Sequence, residues 1–174
     1  MSRLQDALAK KQHKALIPFV TAGHPHPDHT VKIMHELVSL GADVIELGMP
    51  FSDPMADGPV IQHSSEKAIA QGVGLEETLA MVAEFRQQNQ TTPVVLMGYL
   101  NPIECMGNEQ CVQQAAHAGV DAFLIVDSPP EESSELLQAL KTHDMEQIFL
   151  IAPTTTSKRR EMIIEHARGF IYYV

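Results

Sequence analysis

A glutamate inside an otherwise apolar segment is the residue of this sequence best suited to acid–base chemistry. Glu46 lies in the run Val-Ile-Glu-Leu-Gly at positions 44–48. Burial of this carboxyl group in a strand would disfavour its charged form and raise its pKa toward neutrality, where it can both give and take a proton. The alternative interpretation is a structural glutamate that hydrogen-bonds a neighbouring loop, and the sequence alone leaves both open.

The segment that follows supplies further carboxylates. Positions 49–59 contain Asp53 and Asp57 among three prolines. A loop of this kind is partly rigid, polar and long enough to reach over a site. Asp57 could therefore face a ligand, although taken alone it is more simply explained as the N-cap of a helix that begins at Pro59.

Two tyrosines and a histidine cluster complete the candidates. Tyr99 and Tyr172 stand at the ends of predicted strands, where an aromatic ring can line a ligand pocket or simply pack in the core. The histidines His24, His26 and His29 are interleaved with prolines, and their spacing matches no zinc-binding helix. We therefore predict a solvated loop here and no metal site.

The elements that must position these residues alternate between short apolar runs and longer amphipathic stretches. Six runs are predicted to be strands: Leu16–Val20, Val44–Leu47, Val94–Met97, Ala122–Val126, Ile148–Ile151 and Phe170–Val174. Alternation of strands and helices predicts an α/β fold with a parallel sheet. Repeats of roughly 31 residues would need about 250 residues for eight units, the usual size of a closed barrel. The chain is therefore either an open doubly wound sheet of six strands or three quarters of a (β/α)8 barrel.

Length and composition narrow the class of protein. The chain has 174 residues and a net charge of −10, so we expect a single domain over 1–174 and no binding to nucleic acid. No apolar run is long enough to span a membrane, and the first residues have no signal-peptide character, so we expect a cytoplasmic protein. The two cysteines, Cys105 and Cys111, are too few for a disulfide scaffold.

The segment from Glu46 to Gln62 resembles, almost position by position, the characteristic motif of the tryptophan synthase alpha subunit family. Segments 18–23, 97–102 and 129–133 are also similar to strand ends of that family, so the resemblance covers essentially the whole chain. It implies a (β/α)8 TIM barrel, of which about six of the eight β/α units are present in this chain. It also implies a lyase that cleaves indole-3-glycerol phosphate to indole and glyceraldehyde 3-phosphate in L-tryptophan biosynthesis.

The resemblance implies roles for the site residues. Glu46 is similar to the catalytic acid/base, and Asp57 is similar to the residue that faces the indole N–H. Four residues are implied to bind substrate: Phe19, Tyr99 and Leu100 as walls for the indole ring, and Tyr172 near the acid. No cofactor is implied for this chain.

The resemblance further implies a partner, the beta subunit, in an alpha-beta-beta-alpha tetramer. Indole would pass to that subunit, which is expected to carry pyridoxal phosphate. The residues implied to meet it are Pro50, Asp53, Pro54 and Asn101.

The chain ends at Val174, before the place of the family's last two strands. Phosphate sites of such barrels lie in the loops after strands seven and eight, so we expect the phosphate-binding residues to be absent from this chain. A second hypothesis follows, in which a truncated, non-catalytic chain binds and modulates the beta subunit.

Overall fold

The computed structural model describes residues 2–9 and 14–174. Within them the strands are β1 (Phe19–Thr21), β2 (Ile45–Gly48), β3 (Val94–Gly98), β4 (Ala122–Ile125), β5 (Glu146–Ile151) and β6 (Ile171–Tyr173). The helices are α1 (Arg3–Ala9), α2 (Pro27–Ser39), α3 (Pro59–Ala70), α4 (Leu75–Arg86), α5 (Leu100–Met106), α6 (Asn108–Ala118), α7 (Ser134–Thr142) and α8 (Ser157–His166). None of the helices in these ranges is long and apolar enough to cross a membrane.

The order of the strands decides between the two predicted architectures. The sheet runs β1-β2-β3-β4-β5-β6, and each pairing is parallel. A doubly wound sheet would reverse its order at a switch point, whereas strands that follow one another in sequence order form an arc of a barrel. The open-sheet alternative is therefore wrong, and β1 and β6 lie at the two edges of the arc.

Alternating side chains divide the core into two layers. The outer layer lies between the sheet and the helices and includes Ile45, Leu47 and Phe123. The inner layer lies on the concave side and is built from strand residues such as Val95 and Leu124, with Leu4 of α1 packed among them. Because both faces of the sheet are covered in this way, its strands are almost continuously apolar.

The first strand begins later than its apolar run. The predicted strand started at Leu16, whereas β1 starts at Phe19. Proline has no N–H to donate to the ladder, so Pro18 offers only its carbonyl, which accepts the Glu46 N–H at 3.0 Å. The Leu16 N–H instead donates to the Asp43 side chain at 2.9 Å, which holds this segment beside β2 without a regular ladder.

A buried charge network ties the amino end of the arc together. The Asp121 carboxylate accepts hydrogen bonds from the Val94 N–H and from the Arg86 guanidinium, both at 2.8 Å. Arg3 of α1 lies 3.3 Å from the same carboxylate, and Arg86 also donates to the Gly119 carbonyl at 2.8 Å. Burial lowers the pKa of Arg86 to about 10, although the Asp121 charge opposes this effect. With Asp121 and Arg86 paired, this network is suited to holding structure and leaves the opposite end for a site.

Candidate active site

Glu46 lies in the second strand of the arc, on its concave face. Its backbone is in register with Phe19 on β1 and with Val95 on β3. Only 3% of the residue is exposed, and burial raises the pKa of its carboxyl group from 4.5 to about 7. Within residues 2–9 and 14–174 no loop hydrogen-bonds this carboxyl group, which disfavours the purely structural interpretation. A carboxyl group with this pKa exists in both protonation states near neutral pH.

Tyr172 faces Glu46 from the other side of the arc. It is in register with Leu150 of β5 and belongs to the inner layer. Burial raises the pKa of its phenol, and the negative charge of Glu46 raises it further. The two groups are thus close enough to interact electrostatically, as the sequence comparison of Tyr172 with a residue near the acid implied.

Asp57 is held in the loop after β2 by Tyr99. The Tyr99 hydroxyl accepts the Ala56 N–H at 2.9 Å and lies close enough to the Asp57 carboxylate to lower its pKa by hydrogen bonding. Burial raises the pKa of Asp57, while this hydrogen bond acts in the opposite direction. The ring of Phe51 packs on Tyr99 with centroids 5.3 Å apart, so Tyr99 contacts the loop at two places before Asp57.

The capping interpretation of Asp57 is wrong. The N-cap of α3 is Gly58, and no side chain caps this helix. The Asp57 carbonyl does accept the Gln62 side-chain amide at 2.8 Å, but the carboxylate is engaged by Tyr99 instead. The Asp57 side chain therefore does not cap α3, and it lies at the end of the arc formed by the carboxyl ends of the strands.

A small cavity of about 20 Å³ lies at the carboxyl ends of β1 to β4, and it brings together several of the predicted residues. Phe19, Asp57 and Tyr99 line it. Glu46 lies two residues below Gly48 on the same face of β2, under this cavity. The carboxyl ends of parallel strands are where barrels of this kind place their chemistry.

Leu100 is not among the residues that line this cavity. It is the first residue of α5, packs partly buried against the outer layer, and donates its N–H to Asp127 at 2.8 Å. The lining residues that sequence analysis missed include Ser65, Met97 and Val126. The alternation of β3 could have identified Met97, which is in register with Gly48.

The residues implied to meet a partner differ in their accessibility. Asp53 and Asn101 are exposed and Pro54 is half-buried, but Pro50 is buried within the chain. Between them the apolar side chain of Met55 is 82% exposed. The loop after β2 thus offers Asp53, Pro54 and Met55 to solvent, while Pro50 supports it from below.

The histidine cluster serves the start of a helix. His26 is the N-cap of α2, and its ring nitrogen Nδ1 accepts the Asp28 N–H at 3.3 Å. Among residues 2–9 and 14–174 no three histidine, cysteine, aspartate or glutamate side chains are grouped so that they could hold a metal ion.

Comparison with protein-family models gives a match to the tryptophan synthase alpha chain over residues 5–174. The chain belongs to the tryptophan synthase alpha chain family. The family's members are lyases of tryptophan biosynthesis, and their known role is the cleavage of indole-3-glycerol phosphate, so the resemblance inferred from the motif at 46–62 is confirmed.

Individual relatives agree with this assignment. The tryptophan synthase alpha chain of Chromobacterium violaceum is 58% identical over 175 residues, which cover 100% of this chain and 67% of the relative. The crystal structure of the alpha subunit from Legionella pneumophila str. Paris is 47% identical with a TM-score of 0.97, covering 100% of this chain and 68% of that one. A tryptophan synthase complex from Pyrococcus furiosus contains a chain that is 39% identical with a TM-score of 0.86, and the match covers 91% of this chain and 65% of that one.

The chain spans about two thirds of the length of these tryptophan synthase alpha chains. Over that length its backbone follows theirs closely, so the prediction of a (β/α)8 barrel with about six of eight units in this chain is confirmed. Their structures therefore confirm the fold of the arc on which Glu46 and Asp57 lie.

Proposed function

We propose that this chain carries the acid–base half of an indole-3-glycerol phosphate lyase. The reaction is a retro-aldol cleavage of the bond between indole C3 and the glycerol chain, which releases indole and glyceraldehyde 3-phosphate. The observation that carries the proposal is Glu46, which is buried on the concave face of β2 with a pKa of about 7. Membership of the family supplies the substrate class.

Glu46 is the proposed proton carrier. Cleavage needs a proton delivered to indole C3 and a base that removes the proton of the C3′ hydroxyl group. A carboxyl group whose pKa lies near the working pH serves both steps, because neither form has to be made at a large cost. The neighbouring Tyr172 phenol lies in the field of the Glu46 carboxylate, and we assign it to the wall of the substrate site.

Asp57 is the proposed electrostatic partner of the ring nitrogen. Protonation at C3 makes the indole nitrogen cationic, and a fixed carboxylate beside it stabilises the transition state. The hydrogen bond from Tyr99 supports this role by holding the carboxylate in place. Tyr99 is thus a positioning residue as well as a wall of the cavity.

The apolar walls suit a flat aromatic substrate. Phe19 and Met97 line the cavity next to Tyr99 and Asp57, and Glu46 lies beneath. General acid–base chemistry of this kind needs no cofactor from this chain. The cytoplasmic location expected from the sequence belongs to the same proposal.

We further propose that the chain docks on a tryptophan synthase beta chain in an alpha-beta-beta-alpha tetramer. The exposed residues Asp53, Met55 and Asn101 form the proposed contact surface together with the half-buried Pro54, and Pro50 supports it. A relative from Pyrococcus furiosus occurs in an a2b2 complex, which supports this arrangement. Pyridoxal phosphate would belong to the beta chain.

The proposal is tested by measuring indole release from indole-3-glycerol phosphate, with and without the beta chain. We expect Glu46→Gln to abolish release, and the exposed Glu84→Gln, on α4, to leave it unchanged. Full activity of Glu46→Gln would contradict the role of Glu46. A protein that releases no indole yet alters the condensation of serine with indole by the beta chain would instead support the non-catalytic, modulating partner.

A further inference from the structure

The ring of Phe19 lies directly on the backbone of β2 at Gly48. A Cβ atom built on Gly48 would lie 2.5 Å from Phe19 Cζ and 2.8 Å from Cε2. Ordinary van der Waals contact begins at 3.4 Å. Any side chain at position 48 would therefore push this ring by about 1 Å, and the ring occupies its present place only because position 48 is glycine.

Space, and not backbone conformation, is what Gly48 provides. Gly23, at the end of β1, has a φ of +82°, a conformation that favours glycine whatever lies around it. Gly48 has no such positive φ, and it lies in a regular parallel ladder opposite Thr21 and Met97. Alanine is thus compatible with the backbone at Gly48, and the cost of adding a methyl group falls on Phe19.

The displaced ring can move only away from β2, and Phe19 borders the cavity on one side and an open cleft beside α2 and α3 on the other. Both Phe19 and Gly48 line the cavity below Asp57. Leu47 and Ile45 fill the other face of β2 with no exposure. A Cβ at position 48 lifts the ring off the strand and reduces the width available to a bound aromatic ring.

We propose that Gly48 is a specificity-determining residue, which sets the width of the aromatic subsite by letting the tip of the Phe19 ring approach β2. This inference rests on the proposed function and concerns which ring-substituted forms of the same substrate are accepted. Gly48 need not touch the substrate, because it acts through the Phe19 ring. Gly48 and Phe19 then set the width of the subsite together. A methyl group added at position 48 narrows the subsite, and a smaller side chain at position 19 widens it again.

The test compares kcat/KM for indole-3-glycerol phosphate with kcat/KM for analogues that carry one methyl group on the benzene ring. The complete natural polypeptide is used together with the beta chain. For the analogue that the wild type accepts best, Gly48→Ala should lower kcat/KM about tenfold more than for the parent substrate, as expected for one methyl group in an apolar pocket. The double variant Gly48→Ala/Phe19→Leu should restore the wild-type ratio, and Phe19→Leu alone should shift the ratio toward the analogue. Gly74→Ala is the matched control, because its added Cβ meets Glu77 only at an ordinary contact of 3.5 Å, far from the cavity.

The outcomes separate this inference from the proposed function. An unchanged ratio in Gly48→Ala, or a ratio that Phe19→Leu does not restore, would overturn the inference and leave the lyase assignment standing. A wild type that releases no indole would overturn both. If Gly48→Ala does not fold, Phe19→Leu alone decides, because the ratio must still move toward the methylated substrate. The pH dependence of kcat/KM should not change in any of these variants, since Glu46 keeps its surroundings on β2.

Discussion

Replacing Glu46 with glutamine should stabilise the folded protein at alkaline pH while removing the proposed activity. Burial raises the pKa of this carboxyl group from 4.5 to about 7. The difference corresponds to about 3 kcal/mol, at about 1.4 kcal/mol for each pH unit. Above the folded pKa, the native state must therefore keep a charge in a position that is only 3% exposed.

The direction of the pH dependence follows from whether the pKa of Glu46 is higher in the folded or in the unfolded state. The folded state keeps it to a higher pH than the unfolded state, so the free energy of unfolding falls as the pH rises from 4.5 to about 7 and is level above that. Glutamine has no charge to bury. The stability of Glu46→Gln relative to the wild type should therefore increase by about 2–3 kcal/mol between about pH 5 and about pH 8.

The assay is urea unfolding followed by circular dichroism at both pH values, since the chain has no tryptophan to report by fluorescence. Other titrating groups are present in both proteins and cancel in the comparison. The control is Glu84→Gln, in which an exposed carboxylate on α4 is neutralised. A relative stability of Glu46→Gln that stays constant within about 0.5 kcal/mol between the two pH values would refute the burial argument.

Three other changes test the site and its support. Asp57→Ala should remove most of the indole release and leave the thermal midpoint unchanged, because Gly58 is the helix cap; a variant that is merely less stable would contradict the proposed role. Tyr99→Phe should lower kcat/KM by about tenfold, because one hydrogen bond to a charged group is lost. The circular dichroism spectrum should be unchanged. Full activity of this variant would show that Asp57 is held in place without the Tyr99 hydroxyl. Asp121→Ala should lower the free energy of unfolding in urea by about 3–5 kcal/mol, because it leaves the Arg86 charge buried without its partner; a loss below about 1 kcal/mol, the range of exposed pairs, would contradict the network.

The concave position of Glu46 could be predicted from the sequence because strand side chains alternate strictly. An acidic residue between Ile45 and Leu47 must face away from both, and the carboxyl ends of parallel strands share one edge of the sheet. The order of the strands in the sheet was harder to predict from the sequence, because a local pattern of residues identifies a strand but not its neighbours. Only the observed pairing of β1 with β2 and of β2 with β3 separates a barrel arc from a doubly wound sheet.

The details that sequence reasoning missed depend on contacts across the chain or on single-residue shifts. Whether Asp57 or Gly58 caps α3 depends on backbone angles that both residues can adopt. The Tyr99 hydroxyl accepts a hydrogen bond from Ala56, a residue 43 positions away, and no local sequence pattern predicts such a bond. Leu100 and Met97 are both apolar neighbours of Tyr99, but Met97 lies inside the strand and faces the cavity, whereas Leu100 opens α5 and packs outward.

The order of the strands also has a consequence for how the protein is made. Each strand pairs only with its neighbours in sequence, as Glu46 does with Phe19 before it and with Val95 after it. Over these six strands, a strand emerging from the ribosome therefore finds a partner in the strand translated just before it. Domains fold from the amino terminus as they are synthesised, at about 5–20 residues per second. Once translation has passed Gly98 and that stretch has left the exit tunnel, β1, β2 and β3 can already be in register. The proton-carrying glutamate is thus among the first residues of the nascent chain to meet its native neighbours.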